Sequence, residues 1–517
     1  MNLHFFNRLN VLIASRGEIR GYSSRKIAFY TVACSAVVIL LVILLFSGGG
    51  RHRPEPFDLL ATLPYAEESA PLILLTTLRG EFPQYASRLF ADSATISPGG
   101  ASPVTALLPV FDSSDASALV VTERDNGLAM YGAFVLSGEE LESFKSGNLP
   151  AGWRSCFVSP EMNLIDEDGL LQIRANNIVS PLYLEVYSEW VYIADSILDI
   201  DRIREVRSGT AEGMKKRWTV ESEWGGRMFL SDGGVLSSMI SEDDEYSLER
   251  KATEIEIAWR TSDDQHAGEA EWRIFGAENI IGRTFLHGLK AYDWSSEDVF
   301  IPDPLIMSLG VNLPNPGRNL SAFPGSIKYL ADQLRRLKLK GSEIQTILTG
   351  PATVSLGGRT QLLWFELPGI MLDIPGRGAA TFRLIDKFWS ELFVGAEPKP
   401  VDGYTRGGMT DLPFTVLAAG NDEKAIIGLL ASDVEQNTEV KQLLRRANNA
   451  VAWLYIDIPK LGVSLAEMPA INSILYEYED GPVDEESARM LKDIMNKLGK
   501  VFVMWESPES GRAVWYY

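Results

Sequence analysis

Apolar positions dominate one stretch of the chain. From Ile27 to Phe46 the sequence reads IAFYTVACSAVVILLVILLF, twenty residues without a charge. At about 1.5 Å of rise per residue, a helix of that length crosses a hydrocarbon core about 30 Å thick. Arg8, Arg16, Arg20, Arg25 and Lys26 precede the run, and only Arg51 and Arg53 follow it closely. The positive-inside bias then places the N-terminus in the cytoplasm. The reading is a single-pass anchor in the cytoplasmic membrane, touching the bilayer through residues 27–46 and followed by an extracytoplasmic chain. A cleaved signal peptide is the competing reading. It is opposed by the 26 residues ahead of the run, by the length of the run, and by the lack of a small-x-small site before Ser47-Gly48-Gly49-Gly50. A lipidated Cys34 is opposed by the apolar residues that continue past it. Upstream, Leu3, Phe6, Leu9 and Ile13 fit one face of an interfacial helix, or else residues 1–20 form a disordered tail.

Beyond residue 57 the pattern turns to short strand-like and helix-like segments, and their order occurs twice. Ala70–Leu78 and Pro304–Val311 are strand-like runs. Helical patterns follow, at Tyr85–Phe90 and at Ser326–Lys340, where Ile327, Leu330, Leu334 and Leu337 share a face. Hairpins come next. Ala118–Val121 leads to Ala129–Leu136, and Ala352–Leu356, turned by Gly357-Gly358, leads to Thr360–Leu367. Helical segments Glu139–Lys145 and Phe382–Leu392 come after them. Strand, helix and strand then close each half, at Trp190–Ser196, Asp199–Val206 and Arg227–Asp232, and at Lys424–Ser432, Thr438–Ala447 and Val451–Asp457. Between the halves, Ile255, Ile257 and Trp259 alternate with charged residues, as do Ala270, Trp272 and Ile274. That period of two predicts a hairpin with one buried and one wet face, bridging the lobes. A helix over Asp484–Leu498 and a last hairpin, Val501–Trp505 with Ala513–Tyr517, finish the chain.

The fold expected is therefore α+β: one N-terminal transmembrane helix followed by a duplicated ectodomain of largely antiparallel sheets with helices packed on one face. Its expected divisions are a cytoplasmic segment 1–26, the span 27–46, a linker 47–57, lobe 1 over 58–250, a bridging hairpin region 251–300 and lobe 2 over 301–517. In its single N-terminal span and its repeated strand–helix–strand pattern, as in Glu189–Asp232 and Glu423–Asp457, the chain resembles the membrane-anchored, two-lobed extracytoplasmic proteins of a bacterial domain-of-unknown-function family. The resemblance covers most of residues 58–505 and implies no catalytic residues.

Charge narrows the function classes. Seven of the 48 basic residues and one of the 69 acids precede residue 54, which leaves 41 against 68 and a formal charge of −27 on the remainder. Such a surface repels nucleic acid, so no nucleic-acid partner is expected. Cys156 is the only cysteine outside the span, so no disulfide forms within the ectodomain, and only one N-x-S sequon occurs, at Asn319. Both facts favour a bacterial envelope protein.

Catalytic motifs are scarce. His266 and His287 are the only histidines in the expected folded ectodomain from residue 58 on, which argues against a His/Cys zinc site and leaves a Ser-His-Asp triad little to work with. Phosphate loops and dinucleotide fingerprints do not occur, no ectodomain serine has a lysine three residues on, and no cofactor is expected. Paired carboxylates remain open. The acidic runs Glu242–Glu245 and Glu477–Asp480 read as solvated loops and fit no calcium loop. Against the acidic background, Lys328, Arg335, Arg336, Lys338 and Lys340 on the expected helix Ser326–Lys340 form a candidate docking face for an acidic partner or lipid headgroup; the plainer account is basic residues gathering at a helix C-terminus. All twelve tryptophans lie beyond the anchor, placed to fill sheet cores or to stack on sugars. The leading expectation is a non-enzymatic, anchored envelope protein that binds a partner protein or an apolar ligand between sheet and helices. The alternative is a carboxylate-based hydrolase of envelope polysaccharide with a tryptophan-lined cleft, and a third reading is a structural spacer.

Overall fold

The computed structural model describes residues 56–66, 71–78, 110, 114–124, 127–165, 169–176, 178, 180–215, 225–231, 253–262, 267–276, 289–294, 301–302, 304–314, 331–332, 334–336, 338–362, 365–410, 415–429, 434–435, 438–461 and 499–516. The expected span Ile27–Phe46, helices Tyr85–Phe90 and Asp484–Leu498, both acidic runs, His266, His287 and Lys328 lie outside these residues. Among the described residues no helix is long and apolar enough to cross a membrane. The chain divides into two compact units, Met1–Gly276 with Trp515–Tyr517, and Ala277–Val514.

The first unit is an antiparallel sheet of β1 (Leu72–Leu78), β2 (Ala116–Arg124), β3 (Gly127–Val135), β4 (Glu161–Leu164), β5 (Leu171–Arg174), β6 (Leu182–Tyr187), β7 (Trp190–Ala194), β8 (Gly226–Ser231), β9 (Glu254–Ser262) and β10 (Ala267–Phe275). In space the strands run β4-β5-β6-β7-β3-β2-β1-β8-β9-β10. Its helices are α1 (Pro56–Ala61), α2 (Gly138–Lys145), α3 (Ala151–Arg154) and α4 (Ile197–Arg207).

On one sheet face Leu72, Leu74, Val120, Tyr131, Tyr192 and Phe229 pack with Leu59, Leu60 and Leu63 at α1 and with Ile200 and Ile203 of α4. Ser196 starts α4 by accepting from the Leu198 N–H at 3.2 Å. At the other end of α4, Arg204 and Arg207 hold the buried Glu185 of β6 at 3.2 and 3.1 Å, and Arg207 lies 3.6 Å over the Tyr187 ring. On the opposite face Phe134 meets Trp153 of α3 edge-on, and Trp153 meets Phe144 of α2. Both faces of this sheet are thus apolar and covered.

The second unit adds two-residue strands β11 (Tyr292–Asp293) and β12 (Ile301–Pro302), then β13 (Leu305–Leu313), α5 (Gly341–Ile347), β14 (Gly350–Leu362), β15 (Phe365–Pro375) and α6 (Gly378–Lys387). A π-turn over Phe388–Leu392 extends α6. There follow β16 (Arg406–Thr410), β17 (Val416–Gly420), β18 (Lys424–Leu429), β19 (Val434–Glu435), α7 (Thr438–Leu444), β20 (Asn448–Ala450), β21 (Ala452–Asp457) and β22 (Lys500–Ser507), with β23 (Ser510–Tyr516) after it. The main strands run β16-β17-β18-β15-β14-β13-β21-β22, all antiparallel. Taken strand for strand, this is the order β5-β6-β7-β3-β2-β1-β8-β9 of the first unit. The hairpin of β9 and β10 extends the first unit's sheet through β8, as β22 extends the second through β21. The sequence reading had given these two hairpins unrelated places.

Three local readings are corrected. Gly357-Gly358 does not end a hairpin. Strand β14 continues to Leu362, and Gly358, at φ +73°, forms a bulge whose N–H donates to the Pro304 carbonyl at 2.9 Å. The wet face expected for Glu254–Arg260 fails at Glu256, which is buried opposite Phe229 on the apolar α4 face, while Trp272 is only half-buried. The helix expected through Lys340 stops at Lys338, which takes φ +56°. There the Lys338 N–H donates to the Arg335 carbonyl at 2.8 Å and the Leu339 N–H to the Leu334 carbonyl at 3.5 Å. This is a Schellman stop, sealed by Leu334 and Leu339 in one core cluster. Lys340 then sits at the N-cap of α5.

Glycines make room for indoles at three described positions, one of them Gly268 against Trp515. Gly226 lies opposite Trp259, and Gly310 opposite Trp453. A Cβ on either glycine would stand 2.0 Å from the facing ring. Trp453 cannot yield easily, because Trp294 packs edge-on against it at 6.0 Å and is itself held by a 3.0 Å bond from its Nε1 to the Ala450 carbonyl. Gly310→Ala is therefore expected to cost about 1–3 kcal/mol in urea unfolding, through overpacking.

Arg377 ties the end of α5 to the sheet. Its guanidinium donates to the carbonyls of Ile347 (2.9 Å), Thr349, Pro351 and Pro375 (3.3 Å). Burial holds its pKa down to about 10. Arg377→Met strands these acceptors and is expected to lower urea stability by about 2–4 kcal/mol.

Candidate ligand-binding face

The second unit's sheet sorts its side chains in an unusual way. Along β13, Ser308, Gly310 and Asn312 alternate with Met307, Leu309, Val311 and Leu313. Continued through the register, the small and polar set gathers Thr353 and Ser355 of β14 and Asp373 of β15. Ser308, Asn312, Thr353, Ser355 and Asp373 are all buried. Ser308 and Ser355 share a 2.8 Å hydroxyl bond between their strands. Burial raises the Tyr404 pKa strongly, and the Asp373 charge adds to the rise.

The other face is almost wholly aliphatic. One row across the strands reads Val501, Ile456, Met307, Leu356, Ile370, Leu429, and the next reads Val503, Leu454, Leu309, Val354, Leu372, Ile427. A single-faced antiparallel sheet puts its apolar set inward and its polar set toward water. Here the polar set is inside. Ile370 is 55% exposed, Val354 43% and Leu429 42%, and the other members of both rows are half-buried.

The described helices close only part of this face. Ala331, Leu334, Ile344, Ile347 and Leu384 pack over Ile374, with Leu372 and Ile427 at the edge. Ile385 and Phe388 of α6 and its π-turn cover Val416, Ala418 and Ala425. Near the far end of β13, Leu289 and Val451 pack with Val311, Leu313 and Trp505. The row from Met307 to Leu429 ends against the group under α6 and its π-turn, since Leu429 lies opposite the buried Val416, and its members from Met307 to Ile370 belong to neither helix-covered group. In the first unit the face that packs against α2 and α3 is closed: Ile73, Leu75, Leu119, Phe134, Met228, Ile257 and Trp259 are all buried.

Of the sequence-predicted site residues, Arg335, Arg336, Lys338 and Lys340 are exposed and come together around the break at Lys338. Arg335 pairs with Asp332 at 2.8 Å. The tryptophans do not line a cleft as a set: Trp153, Trp259, Trp294, Trp453 and Trp515 are fully buried. Cys156 is buried, and its thiol is pushed up to about 11, a poor nucleophile. Among the described residues no group of His, Cys, Asp and Glu is arranged to hold a metal ion.

The aliphatic rows themselves escaped the sequence reading. Their signal was present in β13, where large aliphatics alternate with Ser, Gly and Asn. Alternation alone does not say which face meets water, so the polar set was open to the wrong assignment.

Comparisons with known proteins add little. No protein-family model matches the chain, and no curated protein matches it in sequence. The likeness to an anchored, two-lobed family thus rests on the sequence pattern alone, the N-terminal apolar run and the repeated strand–helix–strand order. Solved structures titled "Structure of crystal form III of TP0453", "Structure of crystal form I of TP0453" and "Structure of crystal form IV of TP0453" overlap it at 9% identity each, with TM-scores of 0.26, 0.25 and 0.25. They cover 42%, 43% and 44% of this chain and 79%, 79% and 85% of theirs. Overlap at that level assigns no family.

If the face is open in the free protein, truncating it costs little. Ile370→Ala is expected to change stability by less than about 1 kcal/mol, whereas Ile374→Ala, four residues along the same strand face at a buried position, is expected to cost about 2–5 kcal/mol. Urea denaturation of the two variants side by side checks this.

Proposed function

We propose that the chain is an extracytoplasmic binding protein, held to the cytoplasmic membrane by residues 27–46, whose second unit carries an apolar ligand on the β13–β14–β15–β18 face. The two units are read as copies of one ancestral unit: the first has kept both faces closed, and the second has left one face partly open. The observation that carries the reading is the inverted sorting of β13 and β14, with Ser308, Thr353 and Ser355 buried while Val354, Ile370 and Leu429 stay exposed.

Magnitudes favour a long aliphatic ligand. Association costs roughly 4–15 kcal/mol in lost freedom. Covering about 200 Å² of this face returns about 5 kcal/mol at about 25 cal/mol per Å². The ligand must supply at least as much apolar area of its own. An acyl chain, at about 0.8 kcal/mol per buried CH₂, does so, whereas a small polar solute does not.

The test is photocrosslinking in the intact envelope. p-Benzoylphenylalanine replaces Ile370 in the full chain, and a control chain carries it at Leu164, an exposed position of the first unit. After irradiation the intact masses are read. A lipid-sized adduct at 370, absent at 164 and lost when Leu429→Glu is added, is the expected result. A protein-sized adduct at 370, or none, removes the apolar-ligand reading.

A further inference from the structure

A second surface of this unit has its own chemistry, independent of the aliphatic face. Arg383 of α6 donates to the Lys338 carbonyl at 3.3 Å and pairs with Glu343 at 3.2 Å. One turn on, Lys387 pairs with Glu391, and the Lys338 charge helps hold the Glu391 carboxyl below its ordinary pKa. The break at Lys338 and the outer ridge of α6 are therefore neighbours. Together they hold Arg335, Arg336, Lys338, Lys340, Arg383 and Lys387 against Asp332, Glu343 and Glu391, six basic residues to three acidic. On a chain carrying a formal −27 beyond residue 53, this is a local reversal of sign.

Directly beyond Glu391 the π-turn ends in Leu392, 54% exposed, and Val394, 78% exposed. Between them Phe393 packs on Phe388 at 5.0 Å and on Trp389 at 6.1 Å, and the Trp389 Nε1 donates to the Ala418 carbonyl at 2.9 Å. The two aliphatic side chains thus stand on an aromatic base fixed to the sheet. They protrude, where a peptide-binding site would be concave.

We infer that this edge is an interfacial contact for an anionic phospholipid bilayer. Leu392 and Val394 enter the headgroup–acyl boundary, and Arg336, Lys338 and Lys340 face the phosphates. Charge complementarity selects the occupant. The acidic remainder of the surface is repelled by anionic lipid, so this edge is the side that such a membrane draws in. Protruding aliphatics beside lysines match a bilayer interface better than the surface of an acidic protein, which would leave Val394 in water.

The test uses the full chain in nanodiscs, with Cys34→Ser and Val394→Cys and an environment-sensitive nitrobenzoxadiazole label on Cys at 394. Buried Cys156 stays unlabelled. The expected result is a several-fold fluorescence rise and a blue shift in phosphatidylcholine/phosphatidylglycerol nanodiscs relative to phosphatidylcholine alone. The response should disappear when Arg336→Gln, Lys338→Gln and Lys340→Gln are combined in a variant of unchanged thermal stability, and a label on Leu164→Cys should stay silent. A label at 394 that remains water-like in anionic nanodiscs, responds equally without phosphatidylglycerol, or keeps its response after neutralisation overturns the inference. So does crosslinking of this edge to an acidic protein in the envelope. Each of these results leaves the ligand reading of the aliphatic face standing, because none of them touches Ile370.

Discussion

A sheet with two apolar faces has to be covered twice. The central strands set this demand: β1, LILLTTL, opens with four consecutive aliphatics that fall on both faces, and β13 places four large apolar side chains on one face. Antiparallel sheets usually escape double coverage by leaving one face polar and wet. In the first unit, α1 and α4 cover one side and α2 and α3 pack on the other, so Ile73 and Leu74, which point opposite ways, are both buried. In the second unit the same strand order meets the demand unevenly. The described helices reach Leu372 and Ile427 and leave Ile370 and Leu429 beyond them.

Close packing of strands over indoles adds a second constraint, which acts on the buried sides. A tryptophan facing a neighbouring strand needs a partner without a side chain, and Gly226 and Gly310 meet that need. The cost is backbone freedom in the unfolded chain, since glycine loses most on folding. The return is a large ring buried flat on the sheet, with Trp259 and Trp453 both fully inaccessible. On β13 this arrangement forces small residues onto one face, and it leaves the opposite positions as the place for Met307, Leu309 and Val311. The aliphatic rows are in that sense the complement of the glycine and serine rows behind them.

Much of the architecture was legible because it is written in local pattern. The order of strands and helices in both halves follows from periods of two and 3.6, and the helix expected over Asp199–Val206 lies within α4, which starts two residues earlier because Ser196 caps it. What escaped depends on contacts distant in sequence. Gly357-Gly358 has the composition of a turn, and only pairing with β15 makes it a bulge. Glu256 looks solvent-facing by alternation, and burial on the α4 side reverses that. Lys338 gives no composition signal for a helix stop; the stop comes from Leu339 turning back to join Leu334 in the core. The candidate site was hidden for the same reason, since exposure of a face is settled by what lies on it and not by the strand that makes it.

The basic cluster shows how the plainer account and the functional one can share residues. Helix-dipole preference does explain Arg335 and Arg336 in the last turn before the stop. It does not explain Lys340, which sits at the N-cap of α5, where the dipole disfavours a cation and the Glu343 carboxylate accepts from its N–H. Nor does it explain why α6 adds Arg383, well inside the helix, to the same ridge, or why Leu392 and Val394 follow it into solvent. Partial pairing with Glu343 and Glu391 lowers the cost of gathering the cations and leaves a net positive edge. Aliphatic side chains exposed beside that edge gain nothing from water, so their placement points to a surface that meets another apolar phase.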